Sequence, residues 1–234
     1  MSRPLQSLIE EQIGRWEELQ RTRQPAPSGV CVALSHLPGA GGRELAESVA
    51  KRLGFGLFDR EIVEAIASDA GTRAQLVADL DEHVRSGIDR YFVDLLRGRQ
   101  FTESDYLKSV VGVVGTLAKR GRAVVLGRGS TAILAPHEAL RVLVVAPREA
   151  RVARVAKERG LDEAAAGERL DREEANRTEF FRHHFHRRQD DPALYDLAVN
   201  TATWSLDSAT TLVAEAFARH VSERAAAGTR SQAG

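Results

Sequence analysis

Apolar and polar positions alternate between two periods along this chain. Val30-Cys31-Val32-Ala33-Leu34 is a short apolar run with β-branched residues, which predicts a buried strand. Leu45, Val49 and Leu53 then recur at i, i+4 and i+8 and Gly54 closes the pattern, which predicts a helix. Phe55 to Asp59 reads as a second short strand, with Asp59 capping a helix through about Ser68. Residues 73–98 carry helical spacing in Leu76, Leu80, Val84, Ile88, Phe92, Leu95 and Leu96, with Gly87 placed to split the segment. Another helix begins near Thr102, with Asp105 in a capping-box variant. It turns Leu107, Val110, Val111, Val114, Leu117 and Ala118 inward and stops at Gly121. Ala123–Leu126 and Arg141–Pro147 read as fully buried strands, and the second feeds a helix bearing Arg148, Arg151 and Arg154. A last strand spans Leu194 to Val199, and a last helix runs from Leu206 to about Arg224, before a tail (225–234) expected to be disordered.

Residues 2–20 form a further amphipathic helix, with Leu5, Leu8, Ile9, Ile13, Trp16 and Leu19 on one face. That face packs either on its own domain or on a partner subunit, which makes it a candidate homodimer surface. The stretch from Arg21 to Gly29 is a linker by its Pro, Ser and Gly content. The division is therefore an N-terminal helix and linker (1–28), one domain (29–224) and a tail. Strands alternating with helices predict an α/β fold, a parallel sheet flanked by helices.

Charge narrows the partners. With 33 basic and 33 acidic residues among 234, the net charge is zero, so neither nucleic acid nor an acidic membrane is expected as a partner. No apolar run approaches ~18 residues and no signal-peptide pattern opens the chain, so a cytoplasmic protein is expected. Cys31 is the one cysteine, and on an apolar strand it reads as a small core residue. None of the four lysines (Lys51, Lys108, Lys119, Lys157) lies in a glycine-rich loop. A phosphate clamp in this chain therefore has to use arginine forks and backbone N–H groups.

The first strand leads into Ser35-His36-Leu37-Pro38-Gly39-Ala40-Gly41-Gly42-Arg43-Glu44. A strand, a glycine turn and a helix N-terminus in that order form an anion site, since the backbone N–H groups and the helix dipole both favour negative charge. The phosphate-loop pattern G-x-x-x-x-G-K-[ST] is broken in three places. His36 stands for the first glycine, Gly42 for the lysine and Arg43 for the hydroxyl residue. Asp59, Gly127-Arg128-Gly129 and the arginines after Pro147 also fall at strand carboxyl ends, where open α/β sheets bind ligands. Arg128, Arg151 and Arg154 can supply the charge that phosphoryl transfer needs, although Arg151 and Arg154 can equally be a solvated helix face. Asp171, Glu174 and Arg177 share one helical side and read either as a base- and phosphate-holding group or as surface ion pairs. Arg182-His183-His184-Phe185-His186-Arg187-Arg188 reads as a mobile basic lid or as a solvated helix, and no metal ligands are assigned.

Taken jointly, several stretches resemble the cytidylate kinase-like family of P-loop nucleoside monophosphate kinases. They are Ser35–Glu44, Phe58-Asp59-Arg60-Glu61-Ile62-Val63, Val125–Gly129, Val145-Ala146-Pro147, Glu174-x-x-Arg177, and Asp191–Leu197 with Val199-Asn200-Thr201. The resemblance runs from about Val30 to Val221. It implies an adenylate-kinase-like sheet with a lid over about 158–190. It also implies ATP, with Mg²⁺ bridging the donor oxygens, as phosphoryl donor at Gly39, Ala40, Gly41, Gly42 and Arg43. Asp59, Arg128, Glu174 and Arg177 would face the monophosphate, with Arg151 and Arg154 at the lid hinge and phosphate clamp. Arg43, Arg128, Arg151 and Arg154 are then the catalytic candidates. The implied reaction is phosphorylation of a nucleoside monophosphate, CMP or dCMP, to the diphosphate. The alternative is a regulatory nucleotide-binding pseudokinase, suggested by the Gly42/Arg43 pair.

Overall fold

Five short strands pair in parallel in the order β2-β3-β1-β4-β5. They are β1 (Cys31–His36), β2 (Gly56–Phe58), β3 (Ala123–Leu126), β4 (Ala139–Val145) and β5 (Leu197–Asn200). The computed structural model describes residues 5–22, 30–69, 71–72, 76 and 105–231. The helix expected over 73–98 lies outside the described residues, apart from buried Leu76.

The helices in chain order are α1 (Leu5–Thr22), α2 (Gly42–Leu53), α3 (Arg60–Ser68), α4 (Asp105–Arg120), the single turn α5 (Ser130–Ile133), α6 (Arg148–Arg159), α7 (Glu163–Phe185) and α8 (Leu206–Ser231). Because side chains alternate across a strand, β1 divides its apolar residues between two layers. Cys31 and Ala33 join Ala123 and Val125 in a core closed by α1, α3 and α4, which contribute Trp16, Val63, Ile66, Val110 and Leu117. Val32 and Leu34 join Val124, Val142 and Val144 on the opposite face, closed by α2 and α8 through Leu45, Val49, Val213 and Phe217. Burial, and secondarily the charge of Glu138, holds the Cys31 thiol far above its ordinary range, so it is an inert core residue.

Of the two packings open to α1, the structure uses the one on its own domain. Ile9, Ile13 and Trp16 are buried, so these residues of the proposed dimer face are taken up within the chain. Trp16 meets Phe58 edge-to-face with ring centroids 5.2 Å apart. Its indole Nε1 donates to the carbonyls of Arg122 (3.0 Å) and Gly121 (3.2 Å), and Gln12 Nε2 donates to Leu57 O at 2.8 Å. Trp16→Phe keeps much of the packing but removes the indole donor. It should cost about 1–2 kcal/mol in urea unfolding, the scale of a lost buried hydrogen bond.

Several boundaries differ from the sequence reading, among them the end of α1, which runs to Thr22 into the stretch read as linker. The last helix continues to Ser231 instead of ending near Arg224, because Ala225 and Ala226 carry the strongest helix propensity into the segment expected to be disordered. Leu194 falls in a 3₁₀ turn (Pro192–Leu194) whose start is capped by Asp191, so β5 begins only at Leu197. β4 begins two residues before Arg141, where Ala139 pairs with Cys31.

Candidate active site

β1 delivers the glycine loop to the centre of the sheet. Leu37 N–H donates to Val144 O, and Ala40 N–H returns to Leu37 O at 3.0 Å, so the turn is closed by backbone bonds. Gly39 and Gly41 have φ of 73° and 71°, a left-handed conformation that costs other residues ~1–2 kcal/mol. Gly41 is the N-cap of α2 and no side chain caps it, so the positive end of the helix faces the loop mouth. Thr201, just past β5, braces the loop by donating from Oγ1 to Ala40 O at 2.8 Å.

The arginines expected at the site divide into distinct groups. Arg151 is buried beneath the loop: Nε donates to Ala146 O (3.0 Å), Nη1 to Pro38 O (3.2 Å), and the guanidinium pairs with Glu174. Arg154, one turn further along α6, lies against the loop itself, where its guanidinium fills the space beside Gly41 that a Cβ would need. Arg154 has no acid partner among the described residues. Arg177 on α7 donates from Nη1 to the carbonyl of His36 and places Nη2 3.5 Å from His36 Nε2. Burial lowers the pKa of its guanidinium.

A second group sits at the end of β3. Arg128 has a left-handed φ of 51°, held between two left-handed glycines, Gly127 and Gly129. A Cβ at Gly129 would run into the Phe185 ring, so the turn is also packed against the end of α7. Arg128 is about nine-tenths buried, pairs with Glu64 and lies over the Phe180 ring, with Cζ 5.3 Å from its centroid. Tyr106 donates to the same Glu64 carboxylate at 3.1 Å. The Arg128 Nε is buried without a hydrogen-bond partner, and desolvation lowers the pKa of the guanidinium. A buried, unsatisfied cationic donor at a strand end has the chemistry to take an anionic oxygen.

Asp59, at the end of the edge strand β2, and Arg43, near the start of α2, form a third group. Asp59 Oδ1 caps α3 by accepting from the N–H groups of Glu61 and Ile62, both at 3.1 Å. Its other oxygen holds Arg43 Nη2 at 3.0 Å. Arg43 also contacts Glu47 at 3.2 Å, so its charge is directed to two carboxylates instead of the loop mouth. Glu174 and Arg177, expected with Asp59 and Arg128 to face the monophosphate, contact Arg151 and the His36 carbonyl respectively. Among the described residues, each arginine of the expected basic lid has an acid: Arg182 with Glu179, Arg187 with Asp191 and Arg188 with Asp190. Phe185 of that segment, and Phe181 just before it, belong to the core.

Sequence reasoning assigned no site role to four contributors. Gln189 Nε2 donates to Ser35 Oγ at 3.1 Å and so ties the chain after α7 to the base of the loop. Tyr195 fixes that segment by donating to Gln189 O at 2.5 Å. Glu64 orients Arg128, and His36 faces Gly42. Asp196 is structural: it forks with Arg141 across β4 and β5, with Nη2–Oδ1 at 2.6 Å and Nε–Oδ2 at 3.1 Å.

His36 has a measurable consequence. Burial first, and the Arg177 charge second, push its pKa from 6.5 down to about 4, opposed by the Leu37 backbone bond. The unfolded chain therefore binds a proton between pH 6.5 and 4 that the native chain refuses. Stability is complete above pH 6.5 and falls as the pH drops towards 4, by at most about 3 kcal/mol from this residue. His184 and His220 are shifted in the same direction. Urea unfolding of wild type and His36→Asn at pH 7 and 5 isolates the His36 share: the variant should lose less stability on acidification.

The strand order, the glycine loop after β1 and cationic groups at neighbouring strand ends define an adenylate-kinase-like, phosphate-loop α/β fold. The chain belongs to the cytidylate kinase-like family, whose model matches residues 31–203. It is similar to the cytidylate kinase of Halobacterium salinarum, 25% identical over 197 residues covering 82% of this chain and 92% of the relative. It is also similar to the cytidylate kinase of Methanopyrus kandleri, 28% identical over 179 residues covering 76% and 88%. A crystal structure of an uncharacterized protein from Eubacterium ventriosum shares the fold, with a TM-score of 0.65 at 17% identity over 82% of this chain and 99% of that one. No described helix is long and apolar enough to cross a membrane.

Proposed function

We propose that the protein transfers the γ-phosphoryl group of ATP to a nucleoside monophosphate, with CMP or dCMP the favoured acceptor. The observation that carries this reading is the Arg154 guanidinium against Gly41, a cation without an acid partner among the described residues, beside an uncapped helix N-terminus. Such a charge is costly to leave beside a positive helix end unless an anion joins it. Arg128, with its unsatisfied Nε, offers the acceptor phosphate a second cationic seat. The acceptor oxygen attacks phosphorus in line, and the protein contributes position and positive charge. Among the described residues no cluster of three or more His, Cys, Asp or Glu could hold a metal, and Arg43 stands where a hydroxyl ligand would. Mg²⁺ would enter as part of the MgATP substrate, where it would neutralise charge on the donor phosphates. The similarity to two cytidylate kinases supports the pyrimidine preference.

A coupled assay with ATP, Mg²⁺ and each monophosphate in turn tests the reading. Turnover greatest with CMP or dCMP is expected, and no turnover with any acceptor would overturn it. The second reading, a nucleotide-binding regulator without transfer activity, draws on His36 filling the space next to Gly42. Stabilisation by nucleotide without product formation is the result that favours it.

A further inference from the structure

Gly42 is the first residue of α2, and its backbone is not left-handed, unlike Gly39 and Gly41. Its lack of a side chain therefore answers a steric demand. A Cβ placed there would overlap Cβ and Cγ of His36, the residue that stands for the first glycine of the loop pattern. The two departures from that pattern thus occupy one volume. The imidazole lies where a side chain at position 42 would begin.

The ring also has a defined orientation. His36 Nδ1 lies 3.0 Å from Leu37 O, which accepts only if Nδ1 carries the proton. Nε2 is then a lone-pair acceptor facing Arg177 Nη2 at 3.5 Å, while the His36 carbonyl accepts from Arg177 Nη1. Gln189 Nε2 adds a bond of 3.4 Å to the same carbonyl. A protonated imidazole would repel Arg177, and burial keeps the ring neutral near pH 7. Two contacts to one residue fix the guanidinium at the loop and leave further N–H donors for a ligand. Arg43 is not similarly placed, since it is engaged by Asp59 and Glu47.

We propose that His36 and Gly42 are a single coupled replacement for the phosphate-loop lysine: His36 fills the lysine's starting volume and positions Arg177, which carries the cation to the donor phosphates. This rests on the donor-site reading above. His36 is a positioning residue, and Arg177 is the group that meets phosphate. The assignment moves Arg177 from the acceptor side, where the family resemblance would put it, to the donor side.

Two double-mutant cycles test this. In the first, Gly42→Ala should lower the melting temperature in the wild-type background by several degrees, as expected for overpacking. In a His36→Gly background the same change should be neutral or stabilising. Additive effects would overturn the shared-volume claim, whatever the nucleotide chemistry.

The second cycle uses calorimetric titration with MgATP. Arg177→Met should weaken binding about tenfold in the wild type, the scale of a lost charge-assisted hydrogen bond. In the double variant H36G/G42K, where a lysine can again reach the phosphates, the same Arg177→Met change should cost no more than about twofold, because the coupling is gone. His36→Asn, which keeps both the carbonyl and a side-chain acceptor, should bind within a few-fold of wild type, and His36→Ala should bind more weakly. Wild-type binding with no loss in Arg177→Met, or an equal loss in both backgrounds, overturns this inference and leaves the donor-site reading standing. No MgATP binding by the wild type overturns both.

Discussion

Arg151→Met should lower the unfolding free energy by about 3 kcal/mol, at the lower end of the cost of breaking a buried ion pair from one side. Arg151 is 7% exposed and joins three segments: the end of β4 through Ala146 O, the glycine loop through Pro38 O, and α7 through Glu174. Methionine fills a similar volume but leaves two carbonyls and a carboxylate without their donor. Glu174 is 38% exposed and can recover water, which keeps the loss from reaching the top of the range. Urea unfolding should show a lower midpoint with unchanged slope, the mark of lost stability and not of an altered unfolded state. Arg151→Lys should recover only part of the loss, since one ammonium cannot span all three acceptors in the geometry of a fork. A shift of less than about 1 kcal/mol for Arg151→Met would show that the three segments hold together without it.

The sheet was legible because burial on both faces writes itself into composition. Val30–Leu34 and Ala123–Leu126 carry almost no polar residues, as a central parallel strand requires. The cap at Asp59 was legible for a local reason: a carboxylate ahead of an amphipathic run meets the N–H groups of the next turn, as it does here at Glu61 and Ile62. Where a boundary moved, a neighbour decided. Arg141 looked like a strand start, yet the pairing of Ala139 with Cys31 extends β4 before it. Leu194 looked continuous with β5, but Asp191 and Pro192 set a 3₁₀ turn first.

The site was legible as a set of places and much less as a set of partnerships. The sequence places arginines at strand ends, but only the folded chain shows which carboxylate takes each one. Arg43 goes to Asp59, Arg128 to Glu64 and Arg151 to Glu174, and Arg154 remains over the loop. His36 and Gly42 look like two independent losses in one dimension. Six positions apart, they meet because the glycine turn folds the start of α2 back onto the end of β1. No spacing rule encodes that contact, since it depends on φ at Gly39 and Gly41.

Arg154→Met should lower kcat/KM for ATP about 10²–10³-fold, the cost of removing one preorganised donor from a site of developing negative charge. The melting temperature should stay within roughly 1–2 °C, because a residue without a described acid partner removes no ion pair when it is replaced. This pair of outcomes separates Arg154 from Arg151, its neighbour on the same helix face. Stability should fall for Arg151 and transfer should fall for Arg154. Arg154→Lys should retain an intermediate rate, since the charge remains but the bidentate fork does not. Raising ionic strength should increase KM for ATP more steeply in the wild type than in Arg154→Met, because the missing cation no longer contributes a screened attraction. If Arg154→Met turns over normally, the cation over Gly41 is not part of the donor site, and Arg177 is left as the phosphate-facing arginine of the loop.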